Sequence, residues 1–258
     1  MASAPPVANP LPLLFNDLAP LSSVEHGDYK VRRSDAAPFL AKQHAIPVTV
    51  DEFAMAQRYY PIVFSAGDQP VPLALMGLNE GVNTFVDDEG KLIAETYVPA
   101  YVRRYPFLLA RLRQDTEELS LCFDPSADNI GKFDDGDALF EDGKPSEATT
   151  AMLQFCEQFE QAGQRTTAFM EELRNQKLLM DGEVKIEMQG SEQPFIYRGF
   201  QMVDEDKLRD LRGDSLRKMM KSGLLPLVHA HLFSLGLMRE VFGRQMNQGK
   251  VAQPQAQS

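Results

Sequence analysis

Tyrosine and arginine side chains suited to holding an anion are concentrated in one short segment of the sequence. Its polar side chains are Tyr97, Tyr101, Arg103, Arg104 and Tyr105. A guanidinium group binds a carboxylate or phosphate through two parallel hydrogen bonds, and a tyrosine hydroxyl adds a donor beside it. We therefore predict a ligand-binding surface here, from which both arginines can be removed with little loss of stability. The alternative is that both arginines pair with the chain's many carboxylates.

Two further side chains are candidates for the same surface. Tyr60 follows Tyr59 and precedes a proline, as Tyr105 of the first segment also precedes a proline. His231 alternates with His229 along an apolar run that is predicted to be a strand over 225–232, where both rings would face one side, as metal ligands do. A helix would instead place them about 200° apart. Because the motif holds no third ligand, we predict no metal and no cofactor.

The segment 124–147 is strongly acidic and is predicted to be a long solvated loop. It holds eight acidic residues against Lys132 and Lys144. Aligned as an EF-hand from Asp124, it lacks the invariant glycine and has Asp135 where the bidentate glutamate belongs. The mismatch excludes an EF-hand and leaves a weak cation site open.

No sequence motif identifies an enzyme. The sequence has no glycine-rich dinucleotide motif, phosphate-binding lysine loop, nucleophile elbow or zinc-protease motif. Cys122 and Cys156 lie in apolar surroundings and are predicted to be reduced core residues. A non-enzymatic role is therefore favoured, and no catalytic residue is assigned.

These side chains are predicted to be positioned by a single α+β fold. Short runs rich in Val, Ile and Phe predict a mostly antiparallel sheet in the N-terminal half, packed with helices. Apolar residues at three- and four-residue intervals predict a long amphipathic helix near 147–175, begun by Ser146, and another helix spans about 234–246. Shorter helices are predicted at 50–59 (opened by Asp51), at 99–105, around Leu208, and from an Asp214 cap to Gly223.

The chain is predicted to be one domain over 13–246, with flexible tails at 1–12 and 247–258. The N-terminus lacks the positive start and apolar run of a signal peptide. No run reaches the ~18–20 apolar residues that a spanning helix needs. We therefore expect a soluble, cytoplasmic protein; the alternative is the cell surface, reached by a signal-independent route.

The charge of the chain limits its partners. Its 258 residues carry 37 acidic and 26 basic side chains, a net charge of -11. Binding of nucleic acid or anionic lipid depends on neutralising phosphates with Lys and Arg, so this balance disfavours both. A protein partner or a small anionic ligand is expected instead, and the oligomeric state stays open.

Several segments resemble the bacterial SapC family. The resemblance extends from about Leu11 to Arg244 and is strongest in the tyrosine–arginine segment. The other matching segments include His44-Ala-Ile-Pro-Val, Tyr60-Pro-Ile-Val-Phe, Leu139-Phe-Glu-Asp-Gly-Lys-Pro-Ser-Glu and Ala230-His231-Leu-Phe-Ser-Leu.

The resemblance implies a role rather than a reaction. The family takes its name from a bacterial surface layer, which implies a structural or accessory role, and it brings no agreed catalytic residues. Our first hypothesis is a non-enzymatic binding or accessory protein linked to surface-layer or envelope biology. The alternative is a small enzyme, or the substrate-delivering partner of an oxidative enzyme, acting on a small organic acid or peptide. His231 or His44 would then be the general base.

Overall fold

The structure is a computed structural model that describes residues 11–34, 36–112, 118–187 and 194–250. These residues form two compact units. The first unit contains residues 11–34, 104–112 and 118–158, and the second contains 36–103, 159–187 and 194–250. The single domain over 13–246 stays a prediction.

Helices and antiparallel sheets both occur along the described chain, in runs rather than in alternation, which confirms the α+β class. The strands are β1 (Ala19–Pro20), β2 (Lys30–Val31), β3 (Ala45–Pro47), β4 (Ile62–Ser65), β5 (Pro72–Leu75), β6 (Phe107–Ala110), β7 (Ser120–Phe123), β8 (Ile130–Gly131), β9 (Asp137–Ala138), β10 (Phe140–Glu141), β11 (Lys144–Pro145), β12 (Leu179–Asp181), β13 (Val184–Ile186), β14 (Phe195–Tyr197) and β15 (Phe200–Val203). The α-helices are α1 (Phe53–Ala56), α2 (Ala100–Arg103), α3 (Glu147–Asn175), α4 (Glu205–Arg209), α5 (Gly213–Lys221), α6 (Leu224–Ser234) and α7 (Met238–Asn247), with 3-10 turns at Pro38–Leu40, Val50–Glu52 and Leu235–Leu237.

The first unit contains two small antiparallel sheets, in the orders β1-β7-β6 and β8-β2-β9, and the hairpin β10-β11. Its core includes Phe107, Phe123, Ile130 and Leu139. The prediction that 124–147 is only a solvated loop is therefore wrong. Short strands in this segment pair with β2, and Ile130 and the neighbouring Leu139 lie in the core, although eight of the 24 residues of the segment are acidic.

The second unit is built on a five-stranded antiparallel sheet in the order β12-β15-β4-β5-β3. Three of its strands belong to the N-terminal half, as predicted, and two are added from the C-terminal half. Phe169 of α3 contacts the rings of Phe53 and Phe64, at centroid distances of 5.7 and 6.2 Å. Helix packing on this sheet makes the core of the unit.

The long helix α3 confirms the prediction for 147–175. The Ser146 hydroxyl accepts the backbone N–H of Thr149 at 3.2 Å and so caps the first turn. Ala162, Phe169 and Leu173 are buried along the helix at steps of seven and four residues, the spacing expected for one face. Its strong periodicity makes it the most predictable element of the fold.

The C-terminal helix is confirmed, but the predicted strand over 225–232 is wrong. Helix α6 occupies that run, and helical structure continues through α7 to Asn247. An apolar run of this length fits a buried strand or a buried helix equally well by pattern. Gly223, at φ 78°, lies between α5 and α6 as the predicted stop. The predicted Asp214 cap is also wrong, because α5 already begins at Gly213.

The predicted C-terminal tail begins with residues that contact the second unit. The Gln248 amide donates to the Thr84 carbonyl at 3.0 Å, and Lys250 Nζ donates to the Asn83 carbonyl at 3.2 Å. The rest of the predicted tails, 1–10 and 251–258, lies outside the described residues. Both cysteines are reduced and buried, as predicted. None of the described helices combines the length and the apolar character needed to cross a membrane.

Candidate functional site

A buried carboxylate anchors the tyrosine–arginine segment in the second unit. Glu52 is 6% exposed and ends the 3-10 turn that leads into α1. Its Oε2 accepts the backbone N–H and the hydroxyl of Thr49, both at 2.9 Å. This Thr-x-x-Glu arrangement is a capping box, so Thr49 is the N-cap, and the prediction of Asp51 is wrong.

The other oxygen of Glu52 holds the start of the segment. Oε1 accepts the Tyr97 hydroxyl at 2.9 Å and the backbone N–H of Ala100 at 2.6 Å. Burial, followed by the charge of Glu52, raises the pKa of Tyr97 to about 12. The Tyr97 hydroxyl therefore stays protonated at neutral pH and donates to Glu52.

Arg103 is the exposed member of this network. Its Nε donates to the Val98 carbonyl at 3.1 Å and its Nη2 donates to the Tyr97 hydroxyl at 3.2 Å. The guanidinium carbon lies 5.7 Å from the centroid of the Tyr97 ring. Glu52, Tyr97 and Arg103 thus form one hydrogen-bonded chain from the interior to the surface. We call the half-buried Tyr97 and the exposed Arg103 the Arg103 face.

Tyr60 and Tyr101 lie inside the unit rather than on the Arg103 face. Tyr60 is fully buried, and its hydroxyl donates to the Tyr97 carbonyl at 2.6 Å and bonds to Thr96 Oγ1 at 3.0 Å. Burial raises the pKa of Tyr60 to about 12. Tyr101 is 6% exposed, and its ring lies 6.1 Å from that of Phe159. Tyr60 therefore supports the face from behind, through the backbone of Tyr97.

Arg104 and Tyr105 belong to the first unit, because the boundary falls between the two arginines. Arg104 is 5% exposed, and its guanidinium carbon lies 6.0 Å from the Phe15 ring centroid. Tyr105 is half-buried and hydrogen-bonds to Asp124; burial and then the Asp124 charge raise the pKa of Tyr105 to about 12. The two arginines therefore do not form an accessible pair.

Asp124 is the buried carboxylate of the first unit. Its Oδ2 accepts the Asn16 backbone N–H at 2.7 Å, and its Oδ1 accepts the Ser126 backbone N–H and hydroxyl at 2.8 and 2.7 Å. Burial alone would raise the pKa of Asp124, but these hydrogen bonds outweigh burial and lower it. Both oxygens point at N–H and O–H donors, so Asp124 is not arranged as a cation ligand.

His231 bridges elements inside the second unit. It is fully buried; its Nε2 accepts the Val203 backbone N–H at 3.1 Å, so Nδ1 carries the proton and donates to the Ile62 carbonyl at 2.7 Å. The ring stacks on Phe64 at 4.5 Å. Burial lowers the pKa of His231 to about 4. Because the ring is neutral and both of its nitrogens are hydrogen-bonded to the backbone, His231 is not part of the Arg103 face.

The strand-borne pair of histidines is not formed. His229 lies on α6 with His231, and its Nδ1 bonds to the Leu225 carbonyl at 2.9 Å, within the same helix. A two-residue step on a helix points the rings in different directions. Within the described ranges, no group of three or more His, Cys, Asp or Glu side chains is placed to hold a metal ion.

Sequence reasoning missed the two residues that organise the site, Glu52 and Asp124. The Thr49–Glu52 spacing is a capping-box signal that marks Glu52 as a structural carboxylate. Asp124 two residues before Ser126 has the spacing of an Asx turn. Neither pattern indicates which tyrosine each carboxylate binds, because those contacts are tertiary.

Comparison with known proteins gives one family. The SapC family model matches residues 21–241 of the 258-residue chain. No curated protein and no solved structure matches this chain. The matched range contains the whole tyrosine–arginine segment and its two buried carboxylates. Because the match covers most of the sequence, the chain belongs to the SapC family.

Proposed function

We propose that this protein is a non-enzymatic binding or accessory protein that captures an anionic group at the Arg103 face. The observation that carries the proposal is the chain from buried Glu52 through Tyr97 to exposed Arg103. A guanidinium already held in place loses less conformational entropy when it binds a carboxylate or phosphate. The face is therefore suited to capture rather than to turnover.

The expected occupant is the carboxylate of a protein partner or of a small anionic ligand. Arg103 presents a planar group, and a planar carboxylate matches it with two parallel hydrogen bonds. The family's association with a bacterial surface layer supports an accessory role in surface-layer or envelope biology. Cell fractionation tests the cytoplasmic location expected from the sequence against the cell surface.

General-base catalysis at His231 has no observation in its favour. Its Nε2 already accepts one backbone N–H, and its Nδ1–H already serves one carbonyl. A proton transferred to Nε2 would break the bond to Val203. We therefore propose no catalytic role for this histidine.

The test compares Arg103→Ala with Arg239→Ala, which removes the same charge from another exposed position. The probes are succinate and short peptides with either a free or an amidated C-terminal carboxyl group, titrated by calorimetry. We expect wild type to bind a free carboxylate, Arg103→Ala to bind it about tenfold or more weakly, and Arg239→Ala to match wild type. Melting temperatures should be unchanged.

A native pull-down extends the test to natural partners. The proteins and small molecules retained by wild type and by Arg103→Ala are identified by mass spectrometry. Anionic molecules lost only with Arg103→Ala support the proposal. The proposal is overturned if wild type and Arg103→Ala bind the carboxylate probes equally and retain the same molecules. It is also overturned if neither protein binds any carboxylate probe and both retain the same molecules.

A further inference from the structure

A second basic region of the second unit lines a cavity. The cavity has a volume of about 340 Å³ and is bounded by the β4–β5 connection, the end of α3, the sheet edge and α4. Its charged lining consists of Arg174, Lys177, Lys207 and Asp68, with the Gln201 side chain beside them. We call this region the cationic cleft. Its volume is within the range of small-molecule sites.

The cationic cleft has mostly basic side chains, although the whole chain has a net charge of -11. Among the residues that the structure describes, neither Arg174 nor Lys177 has a carboxylate within ion-pair distance. Lys207 pairs with Asp204, Nζ to Oδ2 at 3.2 Å. The lining carries three cations and one carboxylate, Asp68, so the cavity has an excess of positive charge, which attracts an anion.

Lys177 has a backbone conformation that lysine rarely adopts. Its φ is +55°, in the left-handed region that favours glycine. Leu178 N–H bonds to the Leu173 carbonyl and Lys177 N–H bonds to the Arg174 carbonyl, both at 2.9 Å, so the end of α3 is closed by a helix-terminating turn. A glycine would adopt this conformation without strain. The strained residue instead places a cation at the cleft.

A neighbouring cavity extends the cleft. It has a volume of about 370 Å³ and shares Pro70 and Arg174 with the cationic cleft. Its other lining includes Val71, Met170 and Glu171. A carboxylate and apolar groups on this side disfavour a second anion and favour an uncharged, partly apolar body.

We propose that the cationic cleft binds the phosphate group of a small organic phosphate whose apolar body lies in the neighbouring cavity. Arg174, Lys177 and Lys207 come from three places in the chain around one cavity. Three separate donors suit the several oxygen atoms of a phosphate better than the two of a planar carboxylate. The site is distinct from the Arg103 face and does not depend on its proposed function.

The experiment titrates the full chain with phenyl phosphate, inorganic phosphate and benzoate. Phenyl phosphate has both the anionic group and the body, inorganic phosphate has only the anion, and benzoate replaces phosphate with a carboxylate. We expect phenyl phosphate to bind most tightly and inorganic phosphate to compete with it. Benzoate is scored by its displacement of phenyl phosphate, so that carboxylate binding at the Arg103 face is not counted, and it should compete at least tenfold more weakly than phenyl phosphate binds.

Lys177→Gly separates the binding role from a structural role. Because glycine relieves the left-handed backbone, this variant should melt about 2–4 °C higher while binding phenyl phosphate at least fivefold more weakly. Lys221→Gln, at an exposed position of α5, removes the same charge and should bind as wild type does. Arg103→Ala should also leave phenyl phosphate binding unchanged.

No binding of either phosphate at millimolar concentration overturns the proposal, as does equal weakening by Lys177→Gly and Lys221→Gln at constant ionic strength. Benzoate that displaces phenyl phosphate as tightly as phenyl phosphate itself binds overturns the assignment of a phosphate. Loss of phenyl phosphate binding in Arg103→Ala, with Lys177→Gly unaffected, would place phosphate at the Arg103 face instead.

Discussion

The two buried carboxylates, Glu52 in the second unit and Asp124 in the first, bind tyrosines of the same segment but organise different surroundings. Glu52 accepts from Tyr97, whose hydroxyl also takes a hydrogen bond from exposed Arg103. Asp124 binds Tyr105, and the arginine beside that tyrosine is buried. A carboxylate–tyrosine hydrogen bond thus supports an exposed surface in the second unit and part of the interior in the first. The two sites differ because Arg103 is exposed and Arg104 is buried, not because their residue types differ.

Both carboxylates are tolerated in the interior because N–H and O–H donors surround them. An isolated buried carboxylate costs several kcal/mol, and several hydrogen bonds offset that cost. Glu52 has its donors within residues 49–100, all in the second unit, whereas Asp124 draws on Asn16, Tyr105 and Ser126 of the first. Each carboxylate therefore ties together segments that are distant in sequence.

Removal of either carboxylate should have the largest effect on stability. We expect Glu52→Ala and Asp124→Ala each to lower the free energy of unfolding by about 3–4 kcal/mol, because several buried donors lose their acceptor. Urea unfolding measures the loss. Glu52→Gln and Asp124→Asn are the controls and should lose less, since an amide oxygen still accepts. Losses below about 1 kcal/mol for the alanine variants would mean that the hydrogen bonds are not important for stability.

The same two variants test the predicted single domain over 13–246. If the units unfold together, both variants should lower the midpoint of one shared transition. Calorimetric and van't Hoff enthalpies should then agree. Two transitions, of which Asp124→Ala moves only one, would contradict the single domain and show that each carboxylate stabilises its own unit.

Acid should distinguish the units through His231 and Asp124. Burial holds the pKa of His231 at about 4, below its ordinary 6.5, so the ring stays neutral when folded and takes up a proton on unfolding. Its contribution is present above pH 6.5 and is lost as the pH falls to 4, about 3 kcal/mol in all. The pKa of Asp124 is lowered from 3.8, so its contribution is complete above that pH and is lost only as the pH falls further.

Urea unfolding at pH 7, 5.5 and 4.5 measures the pH dependence that His231 causes, in wild type, His231→Gln and His229→Gln. Replacement of His231 should lower stability at pH 7 and flatten the decrease between pH 6.5 and 4.5. His229→Gln is the matched control on the same helix and should follow wild type closely. An unchanged slope in His231→Gln would show that another group causes the acid sensitivity.

The adjacent arginines should respond differently to the same substitution. Arg104→Ala should lower the free energy of unfolding by about 2 kcal/mol, because a buried guanidinium and its packing are lost. Arg103→Ala should change it by less than about 0.5 kcal/mol. Urea unfolding of the two variants at pH 7 makes the comparison. Equal losses would contradict the expectation that buried Arg104 contributes to stability and exposed Arg103 does not.

The sequence indicates the elements better than it indicates the site. Helix α3 is predictable because its apolar period persists over 29 residues. The run that forms α6 has three polar residues among eleven, His229, His231 and Ser234, which are too few to reveal a helical period, so the sequence does not predict a helix there. Tyr97 and Arg103 could be predicted as one polar group. Their anchor Glu52 could not, because it is 45 residues from Tyr97 in sequence and is brought there only by folding.

The smallest effects are expected at the tyrosines, and they show most directly what each carboxylate does. Tyr97→Phe and Tyr105→Phe each remove one hydroxyl and should each lower the free energy of unfolding by about 1 kcal/mol. Only Tyr97→Phe should also weaken carboxylate binding, about threefold, because Arg103 loses one of the groups that hold it. Calorimetric titration of both variants with the carboxylate probes makes the comparison.

The double variant Tyr97→Phe with Arg103→Ala completes the test. Once the guanidinium is absent, loss of the Tyr97 hydroxyl should have no further effect on binding, so the two changes should not be additive. Additive losses would mean that Tyr97 contacts the ligand itself. Weaker binding in Tyr105→Phe would mean that the Asp124 network also supports the surface, and the distinction between an exposed and an interior role would fail.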